Sequence, residues 1–544
     1  MALGKWLRNR RKKSNETKFN VPNQILEEHK DDKVSGNLDK TLSFIQQLLG
    51  ESFDFEIRRF HIFGQTPAAL VYFSNMTDQG SINHDILRPL MSAPVHITDK
   101  KVKTAHLKET ILNDSLYHTE CRLERNLAHI VQAILRGDTL IAVKGLNEGF
   151  LVGTNSVAHR AVTQPETEQV VRGPHDGFIE RLGTNISLLR YRLQTVNFRV
   201  KTTGIGRVTK SRVAVCFLKG VANEDLVQEV ERRLSKIDID GPLDSGYLEQ
   251  FIEDNHFSPF PQMQTTERPD KAAATLMEGR VVIFLDGSPI GLIAPAVFSQ
   301  FYQTVDDYSE RFLMGTLVRF IRLVALVFSL VFPSLYVAII SFNPELIPTA
   351  FAVAVAGGRS GVPFPAVIEV LLLEITMEVL REATIRMPQQ IGGAISIVGV
   401  LVIGQAAVQA GFASPITIVI VALTTIGSFA TPAYNAAISL RMLKFPIFIL
   451  AGIFGLYGVM ISLLFIANHM LSLKSFGVPY MSPIVPGNAQ SMKDAVIRGP
   501  LWWMRMRPDF LDTPNRHRVN KNLGKAENQG FNAIETNQTD NSGR

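Results

Sequence analysis

Two long uncharged stretches in the C-terminal half constrain the fold of this chain more than any other feature. Residues 323–342 form a run of twenty residues without a charge, and no Lys, Arg, Asp or Glu lies between Arg386 and Arg441. A helix needs about 20 consecutive apolar residues to cross the hydrocarbon core of a bilayer. The stretches therefore predict an α-helical, multi-pass membrane domain over residues 323–468. The predicted spans outside the acidic segment described next are 323–342, 391–411, 415–433 and 445–468.

A charged segment, residues 365–385, lies between these stretches. At 100° per residue, Glu374, Glu378 and Glu382 share one face of the predicted helix, and Arg381 returns to the same side. Acidic side chains inside a membrane-embedded block are costly, so they normally face water, a helix partner or the interface. Two interpretations stay open: the helix forms a wall of a polar path through a bundle, or it lies flat on the bilayer. The candidate pore or gating residues of this segment are Glu369, Glu374, Glu378, Arg381 and Glu382.

Two of the predicted spans also carry polar side chains at helical spacing. Gln405 and Gln409 are four residues apart, and Thr424, Ser428 and Thr431 follow an i, i+4, i+7 pattern. Such stripes are typical of ordinary helix–helix packing and also of a hydrated interior within a bundle or between subunits. Gln405 and Gln409 therefore join the candidate pore residues.

The basic residues give conflicting predictions for the number of membrane crossings. Arg319 and Arg322 precede the first span, Arg441 and Lys444 precede the last, and both pairs favour the cytoplasmic side. Satisfying both pairs requires the acidic helix to cross, which gives five crossings and places the basic C-terminal segment outside. If the acidic helix lies flat, four crossings place that segment inside. The short-loop charges favour five crossings.

The residues before the spans predict a soluble region of two α/β (α+β) subdomains. Residues 1–37 are polar, basic and without periodicity, which predicts a disordered tail, with contact to anionic lipid as an alternative. Helical and strand patterns then alternate without a visible repeat over a first subdomain, 38–155, and over a charged segment with a second subdomain, 156–303. The other predicted parts are an amphipathic lead-in at 304–322, a juxtamembrane segment at 469–511 and a disordered polar tail at 512–544. No apolar run follows the basic N-terminal residues, so we expect the soluble region on the cytoplasmic side.

No motif for catalysis, for a metal or for a cofactor occurs in the sequence. The patterns GxxxxGK[ST], HExxH and GxSxG are absent, and GIGR at 204–207 lacks the third glycine of a dinucleotide loop. Cys121 and Cys216 lie far apart and fit neither a zinc pattern nor a disulfide framework. We therefore expect a protein that is not an enzyme, holds no cofactor and binds no nucleic acid.

Several long segments resemble the A subunit of GerA-type spore germinant receptors, and GerK-type A subunits most of all. PETEQVVRGPHDGFIERLGTNISLLRYRL is similar to the signature of that family, and FPAVIEVLLLEITMEVLREATIRMP and FGVPYMSPIVP are similar to later parts. The resemblance covers about residues 40–510. His175 departs from it, because the family usually has an arginine there, which puts a charge-pairing role of that position in doubt. The signature or interface candidates are Arg160, Glu168, Arg172, Gly173, Pro174 and Gly177.

The resemblance implies a nutrient receptor in the inner membrane of the bacterial endospore, with the N-terminal domain on the spore-core side. It further implies a homo-oligomer that forms a nutrient-gated ion channel, and two partners, a transporter-like B subunit and a lipoprotein C subunit. Acidic rings favour cations in channels. We therefore hypothesise that Glu374, Glu378 and Glu382 contribute to a cation-conducting or gating path, with Arg381 as an ion-pair partner.

Two other classes of membrane protein compete with a channel. A secondary transporter predicts repeated halves with interrupted helices, and the sequence shows no such repeat. A scaffold subunit would only assemble partners, with the acids at an interface. Ion flux, solute counterflow or neither, measured with purified protein in proteoliposomes, separates the three functions.

Overall fold

The computed structural model describes residues 24–92, 104–156, 164–386, 402, 404–487 and 491–518. In these ranges the N-terminal region holds two five-stranded sheets and the C-terminal region is mostly helical. The predicted order of an α/β (α+β) region followed by a helical region is confirmed.

The first subdomain is an antiparallel sheet with helices packed on both of its faces. Its strands are β1 Phe55–Ile62, β2 Thr66–Phe73, β3 Cys121–Glu124, β4 Thr139–Val143 and β5 Gly149–Val152. Its helices are Gln24–Glu28, Leu38–Leu49, Gln79–Ser81, Arg88–Met91, Thr104–Thr110 and Leu127–Leu135, with π-helical turns at Ile82–Leu87 and Ile111–Ser115. Residues 24–37 belong to this subdomain, since the Val34 amide donates to the Arg125 carbonyl at 2.8 Å and Asn37 caps helix Leu38–Leu49. The predicted disordered tail is therefore wrong for 24–37, and the rest of it lies outside the described residues.

The second subdomain has the same architecture. Its strands are β6 Phe198–Ile205, β7 Ser211–Leu218, β8 Gln264–Thr266, β9 Val281–Leu285 and β10 Gly291–Ala294. Its helices are Leu182–Arg192, Glu224–Leu234, Ser245–Ile252 and Pro269–Glu278. Asn223 begins helix Glu224–Leu234 by accepting a hydrogen bond from the Asp225 amide at 2.9 Å, as the sequence predicts. That helix buries Val227, Val230 and Leu234, each of which contributes roughly 1.5–3 kcal/mol by leaving water.

The two subdomains are structural repeats. The strand order is β1-β2-β4-β5-β3 in the first sheet and β6-β7-β9-β10-β8 in the second, and every pairing is antiparallel. In each subdomain one helix precedes two strands, helical segments and a third strand follow, and another helix precedes the last two strands. The absence of a visible repeat in the sequence is misleading, because strand order depends on pairings between distant segments.

A buried ion pair joins the subdomains. The Arg190 guanidinium donates to both carboxylate oxygens of Asp54, at 2.6 and 2.7 Å, and both side chains are almost fully buried. The guanidinium also lies over the rings of Phe73 at 4.0 Å and Phe198 at 5.1 Å. Because one partner comes from each subdomain, the pair fixes their relative orientation.

Among the described residues, the four longest helices of the C-terminal region form most of it. They are the first long helix Phe312–Phe342, the acidic helix Ala366–Ile385, the short apolar helix Pro415–Phe429 and the last long helix Tyr434–Ser472. Smaller helices lie at Asp306–Ser309 and Thr349–Arg359, with 3-10 turns at Phe298–Tyr302 and Pro344–Leu346. Among the described residues, the first and last long helices are long and apolar enough to cross a bilayer. The second half of the predicted lead-in, 312–322, is the beginning of the first long helix, and the predicted span 391–411 lies mostly outside the described residues.

The last long helix is a hairpin of two antiparallel arms. Gly455 has φ +61° and ψ −139°, which is not helical. The Ser439 hydroxyl donates to the Pro259 carbonyl, and the His469 ring lies 2.8 Å from the Ser258 hydroxyl. A straight helix would place Ser439 and His469 about 45 Å apart at 1.5 Å per residue, yet both contact one loop. The predicted single span at 445–468 is therefore wrong, because the chain reverses at Gly455.

Contacts along the first long helix give the direction of the short apolar helix. The Tyr336 hydroxyl lies 3.1 Å from that of Thr417, whereas Gly427, ten residues after Thr417, approaches the carbonyl of Ala325, which precedes Tyr336 in the first long helix. The two helices are therefore antiparallel. The short apolar helix ends next to the second subdomain, where the first arm of the hairpin begins and the second arm ends.

The C-terminal segment packs on the second subdomain. It contains the short strands β11 Lys474–Ser475 and β12 Val478–Pro479 and the 3-10 turns Ser491–Asp494, Leu501–Trp503 and Asp509–Leu511. Ser475 Oγ donates to the Gln262 carbonyl at 2.6 Å, and Arg507 Nε donates to the Met277 carbonyl at 2.7 Å. The Arg518 amide donates to the Arg505 carbonyl at 2.9 Å. Residues 512–518 are therefore ordered, which corrects the predicted start of the polar tail, and 519–544 lie outside the described residues.

Candidate functional site

The acidic helix is held to its neighbours by ion pairs. Near its start, Glu369 is fully buried and lies 3.2 Å from Arg359 Nε. Its other oxygen accepts the Ser414 amide at 2.5 Å, and Ser414 caps the short apolar helix by accepting from the Thr417 amide. Glu369 thus joins helix Thr349–Arg359, the acidic helix and the beginning of the short apolar helix.

Glu374 is the central acid of the site. Its Oε2 lies 2.5 Å from Lys444 Nζ, on the first arm of the hairpin, and both side chains are buried. The Thr424 hydroxyl lies 3.5 Å from the other carboxylate oxygen. A buried charge is tolerated only when it is paired and hydrogen-bonded. Glu374 and Lys444 therefore compensate each other's buried charge within one protomer.

Glu378 lies one helical turn further along and is shared by two arginines. Arg381 Nη1 lies 2.8 Å from its Oε1, and Arg441 Nε lies 3.4 Å from the same oxygen. Arg381 also donates to Ser428 Oγ at 3.2 Å and stacks over Phe429 at 4.9 Å. Arg381 is thus an ion-pair partner of Glu378 and a contact to the short apolar helix.

The three acids of the predicted stripe do not share one environment. Glu374 is buried and Glu378 half-buried, whereas Glu382 is exposed and pairs with Arg386 at the end of its own helix, at 2.6 Å. The exposed face of the acidic helix is apolar instead, with Leu372, Ile375 and Val379. Sequence reasoning missed the cations because Arg359, Arg441 and Lys444 belong to other helices. The sequence signal that could have identified these cations is an isolated basic residue beside an apolar run.

Gln405 and Gln409 have a different place. Both lie in the helical stretch 404–409 and both are exposed, next to exposed Ala406 and Ala410. By contrast, Thr424, Ser428 and Thr431 are buried against neighbouring helices. The structure therefore separates the two predicted polar stripes into an exposed pair of amides and an internal set of hydroxyls.

Arg268 and its neighbours in the second subdomain hold the charged signature segment through hydrogen bonds and an ion pair. Arg268 is almost fully buried and donates to the carbonyls of Pro174 at 2.8 Å and Glu168 at 3.2 Å. The Glu168 carboxylate accepts from the Thr266 hydroxyl at 2.6 Å and pairs with Lys271. Burial of Glu168 favours its neutral form, but Lys271 and the hydrogen bonds from Thr266 and the Glu267 amide together outweigh burial and lower the pKa of that carboxyl.

The rest of the signature segment points towards the first long helix. The Arg172 amide donates to Asp306 Oδ1 at 3.3 Å, and its guanidinium lies 3.8 Å from Glu310. Gly173 has φ +144°, a conformation that favours glycine. Gly177 precedes Phe178, whose ring packs edge-on against Phe284 at 4.8 Å. Arg160 lies outside the described residues.

A second ionic cluster, which the sequence did not reveal, ties the first long helix to the C-terminal segment. Arg319 lies 3.1 Å from Asp307 and 3.0 Å from Asp494, and Arg322 lies 2.8 Å from Asp307. Burial opposes ionisation of Asp307, but Arg322 and then Arg319 hold its pKa below the ordinary value. Arg319 and Arg322, which the sequence offered as orientation signals, are thus internal partners of the soluble region.

Neither cluster has the composition of a metal site. No group of three or more His, Cys, Asp or Glu side chains suited to a metal ion occurs within the described ranges. A cavity of about 330 Å³ lies between helix Pro269–Glu278 and the C-terminal segment, with Lys271, Arg280 and Asp494 in its wall. In the described residues, Glu369, Glu374 and Glu378 each form an ion pair with a cation of another helix.

Comparison with known proteins assigns these features to one family. A family model described as Bacillus/Clostridium GerA spore germination protein matches residues 43–510. The chain belongs to the GerA family. The resemblance carried by the sequence motifs is thereby confirmed, and the matched range contains most of the first subdomain and all of the second subdomain, the acidic helix and the hairpin.

Relatives of this GerA-family chain match over most of its length. Spore germination protein KA of Bacillus subtilis (strain 168) is 41% identical and covers 90% of this chain and 89% of its own. Spore germination protein GerLA of Bacillus cereus is 37% identical, and the match covers 88% of this chain and 97% of GerLA. The crystal structure of the N-terminal domain of the A subunit of the Bacillus megaterium spore germinant receptor GerK3 is 34% identical and covers 49% of this chain and 98% of that chain, with a TM-score of 0.38.

Proposed function

We propose that this GerA-family chain is the A subunit of a spore germinant receptor and that copies of it assemble in the spore inner membrane into a nutrient-gated cation channel. Relatives named as spore germination proteins support the process. The two long apolar helices support the membrane location. The partners are a transporter-like B subunit and a lipoprotein C subunit, as the family resemblance implies.

The observation that carries the channel is the exposure of Gln405 and Gln409 on an otherwise apolar helical stretch. Primary amides at membrane depth need water or a polar partner, so a pair of them on the surface of a protomer favours a water-filled space between copies. Glu369, Glu374 and Glu378 serve differently, because each is already paired with a cation of the same protomer. These acids stabilise the packing of the helices around the path. For Glu374 to line the path, as hypothesised from the sequence, its ion pair with Lys444 has to open.

The chain passes along the bundle six times in this proposal. The acidic helix runs away from Phe364 and ends at Ile385, whereas Phe412 stacks on Phe364 at 6.1 Å. Phe412 and Ile385 therefore lie at opposite ends of the acidic helix, and the proposal counts one passage between these two described residues. With the first long helix, the short apolar helix and two hairpin arms, the total is even. In this proposal the soluble region and the basic C-terminal segment lie on the cytoplasmic, spore-core side, and Arg441 lies towards that side, an arrangement that an even number of crossings allows.

The test removes the two amides. In the variant Gln405→Leu/Gln409→Leu we expect nutrient-triggered potassium release from spores to be strongly slowed, with normal protein levels in the inner membrane. Val402→Leu, a change at an exposed apolar residue of the same segment, is the matched control and keeps normal release. Unchanged release in the double variant would mean that the path does not follow this face.

A scaffold subunit is the second candidate, because ion pairs that cross-link helices are also what an assembly platform needs. The same purified protein in proteoliposomes separates the two functions. Rubidium flux that depends on the co-reconstituted B and C subunits and on a nutrient supports the channel. A receptor that assembles fully and responds to the nutrient, yet never passes ions, supports the scaffold.

A further inference from the structure

A cluster of exposed aromatic and aliphatic side chains lies at the beginning of the first long helix. We call it the tryptophan patch; its members in the C-terminal segment are Ile497, Leu501, Trp502 and Trp503, and its members on the helix are Leu313, Leu317, Phe320 and Ile321. Trp502 and Trp503 are 56% and 60% exposed. Large aromatic side chains are normally buried in soluble proteins, and a contiguous exposed group marks an interaction surface.

The tryptophan patch is held in place by buried contacts behind it. Trp502 packs edge-on against Phe312 at 6.0 Å between ring centres. Thr316 Oγ1 donates to the Arg498 carbonyl at 3.0 Å, and the Tyr302 hydroxyl donates to the Ala495 carbonyl at 3.2 Å. The segment that carries both tryptophans is therefore anchored to the helix and to the second subdomain, and the exposure of its indoles is part of the folded structure.

The length of the first long helix places the patch at a membrane interface. The helix has 31 residues and is about 46 Å long at 1.5 Å per residue, whereas the hydrocarbon core is about 30 Å thick. Its exposed face stays apolar from Leu313 through Val324 to Val327. The lipid-facing surface of the helix is thus continuous with the tryptophan patch. The patch lies farther from the other end of the helix than the hydrocarbon core is thick, and it therefore reaches the headgroup layer.

Exposed cations lie on the two segments that carry the patch. Arg311, Lys493 and Arg505 are exposed. Arg505 Nε donates to the Trp502 carbonyl at 3.3 Å, and the Lys493 carbonyl accepts the amide of Gly499, which lies beside the Trp503 ring. Indole rings at headgroup level with neighbouring basic side chains are the features that bind an anionic lipid surface.

We propose that the tryptophan patch is an interfacial anchor that inserts Trp502 and Trp503 into the headgroup region of an anionic leaflet. This proposal rests on the membrane location in the proposed function. The anchor fixes the depth at which the first long helix enters the bilayer. Through the pair of Arg319 with Asp494 it also connects lipid contact with the soluble region.

The test uses the fluorescence of the native tryptophans. The chain has three, so Trp6→Phe leaves only Trp502 and Trp503. The full-length variant is placed in phosphatidylglycerol nanodiscs whose acyl chains carry bromine at a shallow or at a deep position. We expect the shallow bromines to remove most of the emission and the deep bromines to remove little.

A second variant separates failure of the anchor from failure of the membrane location. Leu464 is exposed on the second arm of the hairpin. In the variant Trp6→Phe/Trp502→Phe/Trp503→Phe/Leu464→Trp, position 464 carries the only tryptophan. Deep quenching of Trp at 464 together with unquenched Trp502 and Trp503 overturns the anchor alone. Absence of quenching at both places overturns the membrane location as well.

The charge requirement has its own measurement. In nanodiscs that mix phosphatidylcholine with phosphatidylglycerol, shallow quenching should rise with the anionic fraction, and Lys493→Gln/Arg505→Gln should remove that dependence. Equal quenching in purely neutral discs overturns the preference for anionic lipid. Cross-links from position 502 to another protein copy, without quenching, show that the patch is a protein interface and overturn the anchor.

Discussion

Glu374 and Lys444 are separated by 70 positions in the chain, yet their charged atoms lie 2.5 Å apart in the interior of the helical region. Removing one partner of such a pair leaves an uncompensated buried charge and costs about 3–5 kcal/mol, whereas removing both costs less. We therefore expect Glu374→Gln and Lys444→Met each to lower the thermal stability of the purified protein markedly. Glu374→Gln/Lys444→Met should recover much of it, as a double-mutant cycle measures.

The same double variant distinguishes two roles for Glu374. If the pair braces the helices, spores that carry Glu374→Gln/Lys444→Met should keep nutrient-triggered potassium release. If the carboxylate itself attracts the permeating cation, release should stop although the protein is folded. The brace is the expected role, because the carboxylate is buried and forms an ion pair with Lys444.

The ion pair between the subdomains should dominate their cohesion. Asp54→Ala leaves the buried Arg190 guanidinium without its bidentate partner, and we expect a loss of about 3–5 kcal/mol in the free energy of unfolding. Asp238→Ala removes the partner of Arg207 at the surface and should cause no measurable change. Equal thermal unfolding midpoints for the two variants would contradict a central role of the buried pair.

Gly455 should not tolerate a side chain. Its φ of +61° with ψ of −139° suits glycine alone, and a Cβ would lie 3.0 Å from the Phe342 side chain. Gly455→Ala should therefore cost about 1–3 kcal/mol. Gly357→Ala is the matched control, because Gly357 lies in helix Thr349–Arg359 with open space at its Cβ position, and alanine is the better helix former. A stable Gly455→Ala protein would argue against the reversal of the chain.

The hairpin also predicts the sides reached by aqueous thiol reagents. In a background with Cys121→Ser and Cys216→Ala, cysteines at Tyr434 and Lys474 should label from the side of the soluble region. Cysteines at Glu345 and Tyr457 should label from the other side, because Phe342 and Gly455 are in contact there. Labelling of Tyr434 and Lys474 from opposite sides would restore a single span.

One carboxyl of the soluble region should make stability depend on pH. Burial, with the nearby Glu253 and Asp244, raises the pKa of Glu249 from its ordinary 4.5 to about 7. Between these values the folded protein keeps a proton that the unfolded chain releases, so stability falls as pH rises from about 4.5 to 7, by up to about 3 kcal/mol. Glu249→Gln should flatten this part of the profile and raise the unfolding temperature at pH 8. Parallel profiles for both proteins would exclude Glu249 as the cause.

Local features of the sequence predicted a large part of this architecture. Asn223 and the apolar spacing after it predicted a capped helix, because capping and amphipathicity act over only a few residues. The uncharged run at 323–342 predicted a long apolar helix for the same reason. The signature segment predicted the family correctly, since a motif needs no tertiary contact to be recognised.

The sequence by itself determined the family, the division into a soluble and a helical region, and the unusual acids of the acidic helix. Only the tertiary structure decided which cation neutralises which acid, because Arg359, Lys444 and Arg441 reach the acidic helix through packing of separate helices. It also decided the repeated strand order and the reversal at Gly455. One glycine in an apolar run has no distinctive pattern in the sequence, and contacts of both arms with one loop are what reveal the turn.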